Sequence, residues 1–324
     1  MKKSVRKSIN LQKQTTKMDF NTAFEQMKKI KKNQNLSDET IVFYESVKKS
    51  FTKFWAGDNF CDNIKQDTVE NYIHHLKSKN PPISSVTINT YLRGLRAILY
   101  FFMEQGYTQE FKISLIKEDK TVKETYTDAE LNVLMKKPNV KECDFSEYRN
   151  WVLSNYLLAT GNRLSTVCNI KIGDIDFQNN EILLTKVKNR RQHIIPLSPK
   201  LSKILIDYLQ FRKGEKSDYL FCNRYGEQLN KSAITSAIKR YNRKRGVDKT
   251  SIHLYRHTFA KKWILNGGDI FRLQSILGHS SIDIVKEYVA MFGSDLKNNF
   301  DKFNPLDNLK GTNINGKTGI KMIK

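Results

Sequence analysis

Apolar residues at helical spacing dominate the first third of the chain, from Met18 onward. Ser37 has the character of a helix N-cap, and Asp67 with Glu70 resembles a capping box that opens a second helix. The longest amphipathic segment runs from Thr87 to Phe102, and its core stripe would be formed by Ile88, Leu92, Leu95, Leu99 and Phe102. Its other face carries the polar residues Asn89, Arg93 and Arg96. The pattern predicts a small helical domain over residues 18–112, preceded by a flexible basic arm over residues 1–17.

A charged, unpatterned stretch over residues 113–124 is typical of an interdomain linker. Thr127 and Glu130 then form a capping box that opens a second domain over residues 125–300. Two short β-rich segments, Glu181–Val187 and Gln192–Leu197, predict a hairpin. Helices are predicted from Pro199 to just before Gly214 and near residues 230–245, 253–266, 270–277 and 281–291, with a tail over residues 301–324. The fold class is therefore mainly α with a small antiparallel β-hairpin or sheet, in two domains.

The composition adds a strong positive charge to this picture. The chain has 324 residues, and 56 Lys and Arg against 33 Asp and Glu give a formal net charge of +23. Such a surface favours a polyanionic partner, most often nucleic acid, although a solvated cationic surface explains the same charge. The four cysteines are far apart and fit neither a disulfide framework nor a zinc site. With no secretory h-region and no apolar run of the ~20 residues that a membrane span needs, we expect a cytoplasmic protein.

Six residues that metal-free phosphodiester chemistry uses recur in order along the second domain: Arg163, Lys188, His253, Arg256, His279 and Tyr288. Arginines hold non-bridging phosphate oxygens, lysine and histidine transfer protons, and a tyrosine hydroxyl can attack phosphorus and hold the product covalently. Taken singly, each has an ordinary structural explanation, such as surface charge, a hairpin turn, a helix cap or a half-buried core position. A zinc site at His253 and His257 is disfavoured, because the positively charged Arg256 lies between them and no glutamate base accompanies them.

The joint order of these motifs is far more specific than any one of them. A TGxR run at Arg163, a hairpin lysine, HxxRH from His253, LGH ending at His279 and a tyrosine nine residues later are present. This order resembles the tyrosine recombinase (phage integrase) family over residues 125–300. The preceding helical domain is similar to the SAM-like core-binding domain of that family. Lys188 precedes Pro196 by eight residues, as the catalytic lysine of the family typically does.

The resemblance implies a site-specific recombinase that cuts and rejoins DNA through a 3′-phosphotyrosine intermediate, with no metal, ATP or other cofactor. Arg163 and Arg256 would grip the phosphate, and Tyr288 would attack phosphorus in line. His253 would take the phenol proton, and Lys188 would protonate the leaving 5′-oxygen.

Three further positions follow from the same resemblance. His279 would donate another hydrogen bond to the phosphate, and His257 would support the site without taking part in the chemistry. Where many members of the family carry an acidic residue three positions after the first arginine, this chain has Thr166. That departure puts the usual carboxylate support of the site in doubt.

DNA is expected to be gripped by both domains. Candidate contacts are Asn89, Arg93 and Arg96 in the first domain and Lys239, Arg240 and Arg243 in the second. These residues would contact phosphates and position the protein without specifying sequence, although a solvated basic face explains each of them equally well.

The expected partner is double-stranded DNA that carries recombination sites. A homotetramer would hold two duplexes and exchange strands through a Holliday junction, while the free protein would be a monomer or a weak oligomer. An accessory DNA-bending or directionality factor is compatible with this scheme, and the tail is expected to dock on a neighbouring subunit. We expect the enzyme of a bacterial mobile element, associated with the nucleoid. Two alternatives stay open: a type IB topoisomerase-like enzyme acting on one duplex, and a non-enzymatic DNA-binding protein with a decayed site.

Overall fold

The computed structural model describes residues 17–56, 59–118, 124–184 and 193–278, together with Lys286 and Tyr288. The chain divides into two compact units, with the boundary between Thr121 and Val122. Helices dominate both units, and the second also contains a small antiparallel sheet, which confirms the predicted fold class. Within the described residues, no helix is long and apolar enough to cross a membrane.

The first unit is helical throughout its described part. Its α-helices are α1 (Phe20–Asn33), α2 (Asp38–Phe54), α3 (Gln66–Lys77) and α4 (Ser85–Glu104). The side chains of Ser37 and Ser84 cap α2 and α4 by accepting hydrogen bonds from backbone N–H groups of the first turn. The predicted capping box at Asp67 is wrong, since α3 already begins at Gln66. The side chain of Gln66 donates to Glu70, and the backbone N–H of Lys65 donates to Thr68.

Aromatic residues fill the core of this unit. The rings of Phe20 and Phe102 lie edge to face at 5.2 Å between centroids, and Phe51 and Tyr72 repeat that geometry at 5.2 Å. All five residues of the predicted core stripe of α4 are buried. The helical period of apolar positions therefore correctly identified the inward face of this helix.

Residues 113–118 pack on α4 and belong to the first unit. The buried side chain of Asn89 donates hydrogen bonds to the carbonyl oxygen of Ile116 at 2.8 Å and to Glu118 Oε1 at 2.7 Å. Its own oxygen accepts the backbone N–H of Ile116 at 2.9 Å. Because a buried amide needs hydrogen-bond partners, and this segment supplies them, the predicted linker over 113–124 is wrong for its first half.

The second unit is built around one central helix. Its described elements are α5 (Asp128–Leu134), α6 (Phe145–Thr160), α7 (Leu164–Asn169), β1 (Ile175–Asp176), β2 (Glu181–Leu184), β3 (His193–Pro196), α8 (Pro199–Arg212), α9 (Lys231–Lys244), α10 (Ile252–Leu265) and α11 (Ile270–Leu277). Helix α6 is buried on nearly every side and contacts α8, α9 and α10. The capping box of Thr127 and Glu130 is confirmed, with reciprocal hydrogen bonds at the start of α5.

The three strands form an antiparallel sheet in the order β1-β2-β3. In the register of the hairpin, Ile182 faces Ile195, and both are buried against the core of the unit. The strands confirm the predicted hairpin. Its tip, residues 185–192, and all of the predicted helix 281–291 except Lys286 and Tyr288 lie outside the described residues.

Candidate active site

The end of the central helix places the first arginine of the site. Helix α6 closes at Gly161, which has a left-handed backbone conformation with φ of 60°. A Cβ at this position would lie 2.7 Å from Leu277 Cδ2 and 2.8 Å from Phe259 Cδ1, so only glycine fits. The tight turn lets the chain leave α6 against the end of α11, and Arg163 is the N-cap residue of α7 at that point.

Arg163 and Arg256 converge on the C-terminal carbonyl groups of α11. Arg163 Nη1 donates to the carbonyl oxygens of Leu277 at 3.3 Å and Gly278 at 3.2 Å. Arg256, on α10, donates from Nη2 to the same Leu277 oxygen at 2.9 Å and from Nη1 to the Gly161 oxygen at 2.8 Å. The carbonyl groups at the ends of two helices, α6 and α11, thus hold the two guanidinium groups side by side. The sequence motifs predicted this pair, and the structure brings it together.

Two positive charges that share the Leu277 carbonyl oxygen and are largely shielded from water raise the free energy of the site. Burial is the main cause that lowers the pKa of Arg256 to about 10, and the charge of Arg163 lowers it further. Burial also lowers the pKa of Arg163. An anion bound between the guanidinium groups would relieve both effects, because it supplies the counter-charge that desolvation makes valuable.

Tyr288 lies at this arginine pair with its side chain almost fully buried, at 2% exposure. Its attraction and hydrogen bonding to Arg256 oppose the depression of the arginine pKa, and it acts on Arg163 in the same direction. The hydroxyl oxygen of Tyr288 is 2.7 Å from His257 Nδ1, and the two rings are 5.6 Å apart. The predicted nucleophile, both predicted arginines and His257 therefore form one cluster.

The sequence predicted only a supporting role for His257 and did not predict its direct contact with Tyr288. The available signal was its place directly after Arg256 on the same helix. That place alone leaves the partner of the imidazole undetermined.

His253 and Thr166 occupy contrasting environments around this cluster. His253 lies in the first turn of α10 with an exposed side chain, whereas Thr166 is buried in α7. An exposed imidazole on the helix that carries Arg256 is accessible to a bound ligand. Thr166 lies three residues after Arg163, so a neutral hydroxyl stands where a carboxylate was expected from the family pattern.

Lys188 and His279 lie outside the described residues, so their placement stays a prediction. The base of the hairpin to which Lys188 belongs is described: His193 on β3 approaches the carbonyl oxygen of Ile276 through Nε2 at 3.4 Å. The hairpin therefore starts next to α11, the helix whose last carbonyls hold both arginines.

The candidate DNA contacts of the first unit differ in their exposure to solvent. Asn89 is 1% exposed and its amide is committed to residues 116 and 118, so its predicted role as a DNA contact is wrong. Arg93 is exposed but pairs with Glu118 at 3.0 Å, and Arg96 is half-buried on α4. In the second unit, Lys239, Arg240 and Arg243 are all exposed on α9.

Comparison with known proteins identifies the family of both units. Residues 124–293 match the Phage integrase family, and residues 18–118 match the Phage integrase SAM-like domain, which is the architecture expected for the first unit. The tyrosine recombinase XerA of Pyrococcus furiosus is 29% identical over 244 residues, which cover 74% of this chain and 81% of that protein.

Two solved structures share the fold. An integrase of the transposon Tn1549, solved in complex with a circular intermediate DNA, has a TM-score of 0.69 at 21% identity, over 84% of this chain and 95% of that chain. A lambda integrase tetramer bound to a Holliday junction has a TM-score of 0.64 at 15% identity, over 82% and 78%. Since the integrase family match spans more than half of the 324 residues, the chain belongs to the phage integrase family, the tyrosine recombinases.

Proposed function

We propose that this protein is a site-specific DNA recombinase that integrates or excises a mobile element. It cuts and rejoins DNA through a 3′-phosphotyrosine on Tyr288 and exchanges strands through a Holliday junction. The observation that carries the proposal is the cluster of Tyr288, His257 and two adjacent guanidinium groups, because this combination suits attack of a phenol on a phosphodiester.

The two arginines stabilise the charge that grows on phosphorus. A phosphodiester seated between Arg163 and Arg256 would accept hydrogen bonds from both forks at its non-bridging oxygens. Their backbone carbonyl contacts hold the guanidinium groups in place before substrate arrives, so little reorganisation accompanies the reaction.

His257 takes the proton of the Tyr288 hydroxyl in this proposal. The Oη–H bond breaks as the oxygen forms a bond to phosphorus, and the P–O5′ bond breaks in the same displacement. We assign this step to His257 in place of His253, and the support is that the Nδ1 atom of His257 is 2.7 Å from Oη. The exposed His253 is left to contact the bound phosphate.

Lys188 and His279 complete the scheme as proposed residues. Lys188 would protonate the departing 5′-oxygen, and His279 would donate a hydrogen bond to the phosphate. Religation runs the same steps in reverse, so the phosphotyrosine bond retains the energy needed to reseal the strand without ATP.

Double-stranded DNA is the proposed partner. Arg93, Arg96, Lys239, Arg240 and Arg243 stay candidate phosphate contacts, with Arg93 exchanging Glu118 for a phosphate. The lambda integrase that shares this fold was solved as a tetramer on a Holliday junction, and we propose the same assembly here. Location at the bacterial nucleoid and help from an accessory DNA-bending or directionality factor are part of the proposal.

A trapping experiment tests the function. The protein is incubated in EDTA with a pool of nicked duplexes of randomised sequence, in which cleavage next to the nick releases a short fragment and prevents religation. We expect a covalent protein–DNA complex on a denaturing gel, with the DNA attached through its 3′-phosphate. Two duplexes that carry the trapped cleavage site are then incubated together with the protein. Formation of a junction between them distinguishes recombination from relaxation of a single duplex. Absence of any covalent complex would overturn the proposal.

Chemical rescue tests the role of His257. We expect His257→Ala to slow single-turnover cleavage by about 10²–10³-fold, since a positioned general base contributes in that range. Added imidazole should restore part of the rate, because the half-buried site is left with a cavity of matching shape. The double variant with Tyr288→Phe is the control and should not respond. If imidazole fails to restore the rate, and the loss of rate matches a loss of folded protein seen in the melting temperature, His257 has a structural role only.

A further inference from the structure

A buried polar pair closes the turn between α6 and α7, immediately before Arg163. The side-chain amide of Asn162 donates from Nδ2 to the hydroxyl oxygen of Tyr156 at 2.8 Å. Tyr156 lies near the end of α6 and is completely buried, and Asn162 is 5% exposed. We call these two residues the turn pair. Since neither side chain can reach bulk water, their mutual hydrogen bond satisfies polar groups that would otherwise be costly to bury.

The backbone of the turn brings the pair together. On a continuous helix, residues six apart differ by about 240° of rotation and about 9 Å along the axis, so their side chains cannot meet. The left-handed conformation of Gly161 reverses the chain and returns Asn162 to Tyr156. The side chain of Thr160 adds a second link, because its Oγ1 accepts the backbone N–H of Asn162 at 3.3 Å and donates to the Tyr156 carbonyl oxygen at 2.8 Å.

Tyr156 gives this turn a fixed point in the core of the second unit. Its ring lies edge to face on Phe221, with 5.4 Å between the ring centroids. Burial raises the pKa of Tyr156, although the hydrogen bond from Asn162 opposes this effect, so the hydroxyl is neutral at pH 7. A neutral phenol held by core packing is therefore a constant partner for the Asn162 amide.

Both guanidinium groups of the candidate site depend on this turn. Arg163 directly follows Asn162 along the chain. Arg256 donates from Nη1 to the carbonyl oxygen of Gly161, the residue directly before Asn162, at 2.8 Å. Asn162 thus stands between the residue that carries one guanidinium group and the carbonyl group that holds the other. A displacement of its backbone would move both.

We propose that Asn162 and Tyr156 are positioning residues, which hold Arg163 and Arg256 together in the geometry that receives a phosphodiester. The inference rests on the proposed function for the role of the arginines and deepens it, since it names what sets their separation. Deleting one polar group of the pair leaves the other buried and unpaired, which shifts the turn. Replacing both by apolar groups of similar size removes that conflict.

Single-turnover cleavage by Asn162→Leu, by Tyr156→Phe and by the double variant tests the pair. Each single variant should cleave about 10–10²-fold more slowly per folded molecule, since a misplacement of about 1 Å costs up to about 10²-fold. The double variant should return to within about threefold of the wild type. Tyr126→Phe is the matched control, because it deletes another buried hydroxyl bonded to an asparagine amide, that of Asn242 at 2.9 Å. It should lose stability and keep the normal rate per folded molecule.

The Nε–H signals of Arg163 and Arg256 in ¹⁵N NMR spectra report their positions without DNA. Arg163→Lys and Arg256→Lys assign the signals, since each removes one. Both signals should shift in the two single variants of the turn pair and return in the double variant. The signal of Arg212, whose Nε donates to the Tyr219 carbonyl oxygen at 3.3 Å, should stay in place.

Unmoved arginine signals in both single variants would overturn the proposal, as would normal cleavage per folded molecule by both. A double variant that stays as slow as the single variants would also contradict it, because the matched apolar pair should restore the turn. The trapping experiment reports on the function separately. If the wild type forms no covalent complex while the arginine signals move in the single variants, the recombinase function is removed and the positioning role stands.

Discussion

Replacing Tyr288 by phenylalanine should abolish the covalent protein–DNA complex and lower single-turnover cleavage by about 10⁴-fold or more, because the attacking oxygen is lost. Affinity for duplex DNA should change little, since Tyr288 is almost completely buried and has little surface to offer to DNA. Stability should fall by only about 0.5–1.5 kcal/mol, the typical net value of the hydrogen bond to His257. Denaturing gels, fluorescence anisotropy and thermal melts measure these three quantities.

Tyr255→Phe is the matched control for this change. Tyr255 is as buried as Tyr288, and its hydroxyl is 3.2 Å from both Ser154 and Asn242, away from the arginine pair. We expect this variant to lose stability yet to form the covalent complex at the normal rate per folded molecule. A covalent complex that persists in Tyr288→Phe would place the nucleophile elsewhere, and peptide mapping of the trapped DNA would identify the residue.

Replacing Arg256 by lysine should lower cleavage by about 10²–10³-fold, the effect of losing one preorganised donor in the transition state. A lysine ammonium is a point charge and cannot reproduce the planar fork of a guanidinium group. It also cannot reach both carbonyl oxygens, of Gly161 and Leu277, that Arg256 satisfies, so the melting temperature should fall as well. Single-turnover rates, corrected for the folded fraction, isolate the catalytic part.

Arg149→Lys separates catalysis from stability. Arg149 is as buried as Arg256 and also holds a backbone carbonyl, that of Cys222 at 2.8 Å, but it lies outside the site. We expect this variant to lose stability and to cleave normally once the folded fraction is taken into account. Cleavage by Arg256→Lys within about threefold of the wild type would remove Arg256 from the phosphate site, because it would mean less than about 1 kcal/mol of lost stabilisation.

Local sequence signals predicted the elements of the fold well where the deciding interactions are local. The caps at Ser37 and Thr127 depend on a side chain and a backbone group three residues apart, and both are present. The stripe of α4 depends only on the helical period. The prediction of a capping box at Asp67 was wrong for a local reason too, because the helix begins one residue earlier, at Gln66.

The candidate site divides in the same way. Arg163, Arg256 and Tyr288 were predicted from an ordered set of motifs, and the structure places them together. The contact between His257 and Tyr288 spans 31 positions along the chain, and nothing in the residue types requires it. The sequence could not predict the burial of Asn89 either, because its hydrogen-bond partners lie 27 and 29 residues away along the chain.

By itself, the sequence determined the helical character of both units, the positive charge, the candidate phosphate-binding arginines and the candidate nucleophile, and through their motifs the family. These depend on local periodicity, composition and the order of motifs. Only the tertiary structure decided which polar groups are buried and which remain accessible: Asn89 holds residues 116 and 118 against α4, and His257 contacts the hydroxyl of Tyr288. Burial and contact depend on packing between segments distant in the chain, and packing determines whether a given side chain binds DNA, positions a neighbour or fills the core.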